Sequence, residues 1–341
     1  MNEPVRFAIV GCGVIAQTHA EGIMNTAEAT LVAVFDENEE KGQRFAEQYG
    51  ADFYASYEQL LALDHIEVIN ICTPSGLHAE QTIMAARSGK HIICEKPLAI
   101  HTEDVGQMIT VCHEEGVKLS TVFPRRVGPA AVFLKQFIAE GGLGKITLAD
   151  AIMKIYRSQD YYDSAGWRGT WEMDGGGAMM NQGIHLVDML QWLVGPVESV
   201  YGKAAALQRN IDVEDTVVSL LQFQNGGLGV IEMTTTVHPD LGQRIEIHGE
   251  KGTAILTEDD ITLLQVDGQD IQLPRFEPFK VLPDGHRYQI RDMALAVRED
   301  RSPSITGEDG VHALEIILGT YESSRKGESI KLNTKKVGEQ V

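Results

Sequence analysis

Basic charge is what this chain has too little of. Against 49 aspartates and glutamates stand 29 lysines and arginines, for a formal net charge of -20. Nucleic acid demands a basic footprint and anionic lipid attracts basic segments, so neither partner is expected. No apolar stretch nears the ~20 residues that cross a bilayer, so no membrane span is expected. The four cysteines, Cys12, Cys72, Cys94 and Cys112, include no Cys-x-x-Cys pair and read as buried thiols in a reducing, cytoplasmic setting. His113-Glu114-Glu115 lacks the second histidine of a zinc-protease helix, and no structural metal is expected. No charged-then-apolar leader is expected, as Met1 to Pro4 run directly into a strand. Low-complexity tracts and internal repeats are absent. What remains, 341 residues that are 43% hydrophobic, is the composition of a packed globular protein of two domains.

The first 123 residues alternate short runs rich in Val, Ile and Leu with helical segments. Runs at 6–10, 30–35, 68–72, 91–94 and 118–122, and a weaker one at 52–54, are mostly apolar throughout. That is the pattern of strands in a parallel sheet covered on both faces. Helices over 77–87 and 102–115 stop at Gly89 and Gly116. The alternation predicts an α/β fold, with an N-terminal doubly wound Rossmann domain over residues 1–123.

Residues 124–341 read differently, as an α+β domain with an open, largely antiparallel sheet. Pro129 can start a helix that ends at Gly141-Gly142. A strand over 145–156 and a helix from about Gly176 to Gly195-Pro196 come next. Strands then follow at 197–206, 215–224, 228–237, 244–248, 253–257 and 261–266, with Asn225-Gly226-Gly227 and Gly249 to Gly252 as turns. Helices over 288–299 and 306–325 close the chain, the latter opened by a Thr306/Asp309 capping pair. Val217, Leu221 and Phe223 alternate with Val218, Leu220 and Gln222, so both faces of that strand are apolar. One face can pack on helices. The other needs a partner, and a homo-oligomer, dimer or tetramer, is expected through this sheet.

Two stretches carry chemistry. The first strand feeds Gly11-Cys12-Gly13-Val14-Ile15-Ala16, which opens a helix. Gly11 permits the tight turn, Gly13 lets backbone approach a pyrophosphate, and Ala16 allows close helix–strand packing. The helix N-terminus offers unpaired N–H groups to phosphate. Asp36 ends the second strand, suited to a ribose 2′-hydroxyl and hostile to a 2′-phosphate, and no arginine lies nearer than Arg44. NAD is therefore expected rather than NADP. Asp36 can also cap the following helix. Thr73, Pro74 and His78 fall on the same ligand edge, His78 as coenzyme contact or as a histidine at a helix start.

Glu95-Lys96-Pro97 follows the run at 91–94, which puts an ammonium on that edge, with Glu95 and Lys96 expected beside the coenzyme. A salt bridge with Glu95 is the plainer role for Lys96; the strand-end position places chemistry ahead of it. The second stretch runs from Asp174 to Asp188 through Gly175-Gly176-Gly177. Asp174 reads as an N-cap, and Leu186, Met189, Leu190 and Leu193 as the core stripe. Asn181, His185 and Asp188, at i, i+4 and i+7, would share an adjacent face lining a cleft. Oxidising a secondary alcohol needs a hydride acceptor and a base. The nicotinamide is the acceptor. His185 suits the base, with an ordinary pKa of about 6.5, whereas Lys96, near ~10.4, suits alkoxide stabilisation.

Together these residues resemble the glucose-fructose oxidoreductase / inositol dehydrogenase (Gfo/Idh/MocA) family along essentially the whole chain. GCGVIA, EKP at 95–97 and GGGAMMNQGIHLVD at 175–188 carry the resemblance. It implies a Rossmann domain, an oligomerising α/β domain, and oxidation or reduction of a sugar, cyclitol or related polyol with a nicotinamide coenzyme. It implies Lys96 and His185 as the catalytic pair, with Asn181 where many members have aspartate. By similarity to related reductases, Trp167, Arg168 and Tyr288 contact the coenzyme; aromatic packing is the other role for Trp167 and Trp171. The Asn181 variant, with Trp167 to Trp171 upstream, is similar to members that oxidise C3 of sugars or nucleotide sugars. Arg125-Arg126 could face substrate or serve as hinge charges. Three functions stay open: an NAD-dependent dehydrogenase, an NAD-retaining glycoside hydrolase acting through transient C3 oxidation, and a non-catalytic NAD-binding sensor.

Overall fold

Six short strands build the first sheet of the computed structural model, which describes residues 3–332: β1 (Val5–Val10), β2 (Ala29–Phe35), β3 (Asp52–Tyr54), β4 (Val68–Ile71), β5 (His91–Cys94) and β6 (Leu119–Thr121). Their order is β3-β2-β1-β4-β5-β6 and every pairing is parallel. Between them run α1 (Val14–Met24), α2 (Glu39–Tyr49), α3 (Tyr57–Leu61), α4 (His78–Arg87) and α5 (Thr102–Glu114). β4 is buried at every residue, as a strand covered on both faces must be. The strand order reverses between β1 and β4, which makes their carboxyl ends the place where such sheets bind ligands.

The second sheet has nine strands. It is assembled from β7 (Ile146–Lys154), β8 (Val197–Ala205), β9 (Thr216–Phe223), β10 (Leu228–Thr234), β11 (Gly242–Gly249), β12 (Gly252–Thr257), β13 (Asp260–Val266), β14 (Gln269–Asp270) and β15 (Ile330–Lys331). The order is β14-β13-β12-β11-β7-β10-β9-β8-β15, antiparallel except where β7 meets β10. α6 (Pro129–Ala139) carries its proline in the first turn, and α7 (Gln159–Asp163) is short. α8 (Ile184–Val194) buries Leu186, Met189, Leu190 and Leu193, the stripe its periodicity predicts, and packs on β7 and β11. In register on the exposed face of this sheet stand Leu148 beside Leu228 and Tyr201 beside Leu220, with Val218 one row on. The alternation in β9 therefore leaves an apolar surface open, Leu220 at 56% exposure, while Val217, Leu221 and Phe223 are buried.

The sequence predicts one boundary after residue 123. The chain instead forms one unit from its residues to Pro124 together with Lys280–Gly310, and a second from Arg125–Phe279 and the residues from Val311 onward. The reason is α9 (His286–Glu299). Ile290, Met293 and Ala294 on this helix complete the core made by Phe7, Ile9, Ala16, Ala20 and Ile23. α10 (Asp309–Lys326) begins three residues later than the expected start at Thr306, although the pair itself forms, with Asp309 accepting the Thr306 N–H at 2.8 Å.

Candidate active site

β1 delivers Gly11, and β4 delivers Thr73 and Pro74, to the point where strand order reverses. Gly11 adopts φ +87°, and a Cβ there would stand 2.8 Å from Thr73 Cγ2. Its absence lets the turn close on the Thr73 loop. Gly13 answers to a different demand, because nothing beyond its own stretch of chain lies within 4 Å of where its Cβ would be. Gly13 also begins α1, whose first turn has no side-chain cap and no acid, leaving N–H groups for an anion. Val14 beside it is 81% exposed, an apolar side chain set on open surface, while Ile15 is half-buried and Ala16 fully buried in the core.

Asp36 accepts the N–H groups of Cys12 (2.8 Å) and Asn38 (2.9 Å) and pairs with Lys41 Nζ at 2.9 Å. The helix-cap role offered to Asp36 goes to Asn38, whose side chain accepts the Lys41 N–H. Asp36 stays at the strand end with its carboxylate held over the glycine loop. These residues fit a dinucleotide: open space above Gly13, an uncapped helix start and a fixed carboxylate at the ribose position.

Lys96 follows β5 on the same edge, and its peptide bond to Pro97 is cis. Its backbone N–H donates to Glu95 at 3.1 Å. Glu95, expected beside the coenzyme, turns its side chain into the core. There it accepts N–H bonds from His19 (2.9 Å) and His286 (3.3 Å). Asn70 donates to the other nitrogen of His19 at 2.9 Å, which fixes the ring tautomer. Burial works against charge on Glu95, but the two imidazoles outweigh it and hold its carboxyl well below the usual range. Burial keeps His19 below its ordinary value, hence neutral. His78 is buried with Nδ1 2.8 Å from the Pro97 carbonyl and Nε2 2.9 Å from that of Thr73. It braces the two loops of the ligand edge, and its nitrogens face backbone. Tyr288 sits on α9, about half exposed.

In the second unit the helix expected from Gly176 starts later. Ala178–Gly183 winds as a wider π-helical turn before α8 begins at Ile184. The N-cap position falls to Gly177 rather than Asp174, whose carboxylate accepts the Gly169 N–H (2.9 Å) and the Asn181 side-chain amide (2.7 Å). The cause lies under the glycines. Buried Glu214 accepts the N–H groups of Gly177 (2.8 Å) and Met179 (2.9 Å) and the Tyr321 hydroxyl (2.8 Å). A Cβ on Gly177 would sit 1.8 Å from the Glu214 carbonyl oxygen. The glycines do admit close neighbours from the protein itself, the Glu214 backbone at Gly177 and the Tyr321 side chain at Gly176. Burial pushes the Glu214 carboxyl up to about 7 against those three donors.

Asn181 and His185 thus straddle the junction of a π turn and an α-helix, so the i, i+4, i+7 face is not that of one regular helix. Asp188 accepts from Arg126 Nε at 2.8 Å and Nη2 at 2.5 Å. Arg125 donates to Asp259 at 2.6 Å. Both of these arginines are held by carboxylates of their own unit. Trp167 stacks under Arg168, 4.7 Å from the ring centroid, and Trp171 meets the edge of Tyr321 at 5.4 Å. Lys41, His19, His286 and Glu214 carry no motif of their own; each supports a motif residue, Asp36, Glu95 or Gly177, from outside the motif.

Comparison with known proteins joins the two halves. Residues 5–123 match the model of the oxidoreductase family with an NAD-binding Rossmann fold, and residues 132–255 match the GFO/IDH/MocA C-terminal domain. A 1,5-anhydro-D-fructose reductase of Ensifer adhaerens is 29% identical over 96% of this chain and 99% of its own length. A myo-inositol 2-dehydrogenase of Thermotoga maritima is 28% identical over 96% and 98%. The crystal structure of the WlbA dehydrogenase from Bordetella pertussis, in complex with NADH and UDP-GlcNAcA, has a TM-score of 0.89 and 35% identity, covering 98% of this chain and 99% of that one. With a glycine cradle built for a dinucleotide and both halves matched in order, the chain belongs to the Gfo/Idh/MocA family of NAD-binding oxidoreductases.

Proposed function

We propose that the protein is an NAD-dependent dehydrogenase that oxidises a secondary hydroxyl of a sugar, cyclitol or nucleotide sugar to a ketone. One observation carries this reading: Lys96 leaves β5 on the sheet edge that also holds the Gly11–Ala16 cradle, Thr73 and Asp36. Bound there, NAD supplies the hydride acceptor. Lys96 is assigned to orient the substrate hydroxyl and stabilise the alkoxide, His185 to take the proton, and Asn181 to position a hydroxyl. Asp174 supports Asn181 in that role through its 2.7 Å bond. The first unit is assigned the coenzyme, and the second the substrate. The apolar open face of the second sheet supports a homo-oligomer, and four buried thiols support a reducing, cytoplasmic setting. No helix among the described residues is long and apolar enough to cross a membrane.

The test is a panel of polyols, aldoses and nucleotide sugars with NAD and NADP, followed by nicotinamide absorbance. A substrate that yields NADH supports the reading. Lys96→Met and His185→Ala are then expected to lose about 10²–10⁴ in kcat with NAD affinity kept. Full turnover by both variants would remove the proposed pair. Cleavage of a glycoside without net NADH would move the function to an NAD-retaining hydrolase.

A further inference from the structure

Arg157, Arg168 and Arg209 gather in one loop cluster of the second unit, between β7 and α8 and between β8 and β9. Arg157 and Arg168 lie over the ring of Tyr161, 5.5 and 4.4 Å from its centroid, and Arg209 lies 5.0 Å from that of Tyr156. Gln159 ties the two loops, accepting the Asn210 N–H at 2.9 Å and donating to its carbonyl at 3.2 Å. Among the described residues none of these arginines forms an ion pair, whereas Arg125 and Arg126 both do. In a chain with 49 acids against 29 bases, that isolation is unusual.

The nearby carboxylates are spent on the backbone instead. Asp215 accepts the N–H groups of Leu207, Gln208 and Arg209 at 2.8–3.0 Å, shaping the loop that presents Arg209. Meanwhile Arg168 Nε and Arg209 Nε and Nη2 are buried without a hydrogen-bond partner. Buried charged donors are rarely left so, and a missing ligand is one of the few explanations. Stacking on tyrosine does not satisfy them. It engages the face of the guanidinium; in its plane, Arg157 gives one N–H to the Tyr156 carbonyl and Arg168 one to the Tyr161 hydroxyl, which leaves Arg168 Nε and Arg209 Nε and Nη2 for a carboxylate or phosphate. The cluster also reaches the catalytic stretch. The Tyr161 hydroxyl accepts from Arg168 at 2.5 Å and from Gln182 at 3.0 Å, and Gln182 Oε1 is itself buried without a donor.

We infer that this arginine cluster binds an anionic group of the substrate, so that the second unit selects a sugar bearing a carboxylate or a diphosphate over a neutral sugar or cyclitol. The inference rests on the dehydrogenase reading and narrows its substrate class. Titrating the NADH-bound enzyme calorimetrically with UDP-glucuronate, UDP, glucuronate and glucose tests it. UDP-glucuronate is expected to bind at least about tenfold tighter than glucose, and the preference to shrink as salt is raised. Binding of UDP alone assigns the diphosphate, and binding of glucuronate alone assigns the carboxylate. Arg157→Gln and Arg209→Gln are each expected to weaken UDP-glucuronate by about tenfold, with Arg209→Lys weakened less, while NADH affinity and melting temperature report an intact fold. Equal affinity for UDP-glucuronate and glucose overturns the inference, as does wild-type affinity in both glutamine variants. Failure to form NADH with any sugar strikes the dehydrogenase reading alone, because these titrations need no turnover.

Discussion

At Asp36 a single carboxylate receives the Cys12 amide, the Asn38 amide and the Lys41 ammonium. Lys41 both steadies the acid and would remain as an unopposed cation beside the ribose position if the acid were gone. Asp36→Ala is therefore expected to cut kcat/KM for NAD by about tenfold or more and to raise it for NADP, since charge-assisted hydrogen bonds contribute about 1.5–3 kcal/mol. An unchanged ratio between the two coenzymes would contradict this role. Gly11 and Asp36 were legible in the sequence because the turn they serve is local. The partners of Glu95 were not, lying 76 and 191 residues away at His19 and His286. Only the fold brings such groups together, and the motif around Lys96 contains no trace of them.

Among elements, the π turn before α8 shows where periodicity misleads. Asp174 followed by three glycines has the look of a capped helix start, yet the start is set by Glu214, a residue from the approach to β9. Repeating apolar positions after Ile184 were read correctly, because packing of the stripe is decided by the helix itself. The Glu214 carboxyl has a pH consequence. Its folded pKa, about 7, lies above the ordinary value of 4.5. The unfolded chain therefore releases this proton first, and stability falls as pH rises from about 4.5 to about 7, then levels. The full effect is roughly 3 kcal/mol at one pKa unit per 1.36 kcal/mol. Glu214→Gln should flatten that slope relative to wild type in urea unfolding at several pH values. Equal slopes would show that the carboxyl titrates normally. Gly177→Ala, which drives a Cβ into the Glu214 carbonyl, should lower the melting temperature sharply.

For the molecule as a whole, the apolar face of the nine-stranded sheet meets a net charge of -20. The charge favours solubility, while Tyr201, Val218, Leu220 and Leu228 offer a surface that water covers at a cost. Leu220→Glu is expected to break the homo-oligomer proposed above, read as a lower mass in light scattering, with little effect on the protomer's own stability, because the side chain is 56% exposed. A wild-type mass in that variant would remove this face from the proposal. The sheet and its apolar face were legible from alternation in 215–224; the division of the chain was not, since nothing local marks 280–310 as belonging with the opening residues.

That return has a bearing on biosynthesis. The residues that emerge first from the ribosome lack the helix that closes their core until His286–Glu299 has been made. A nascent chain stopped near residue 124 would leave Ile23 and its neighbours facing water, a surface for chaperones or for aggregation. Expressed alone, residues 1–124 should fail to fold cooperatively, and a circularly permuted chain that joins 280–310 to them should recover the nucleotide site.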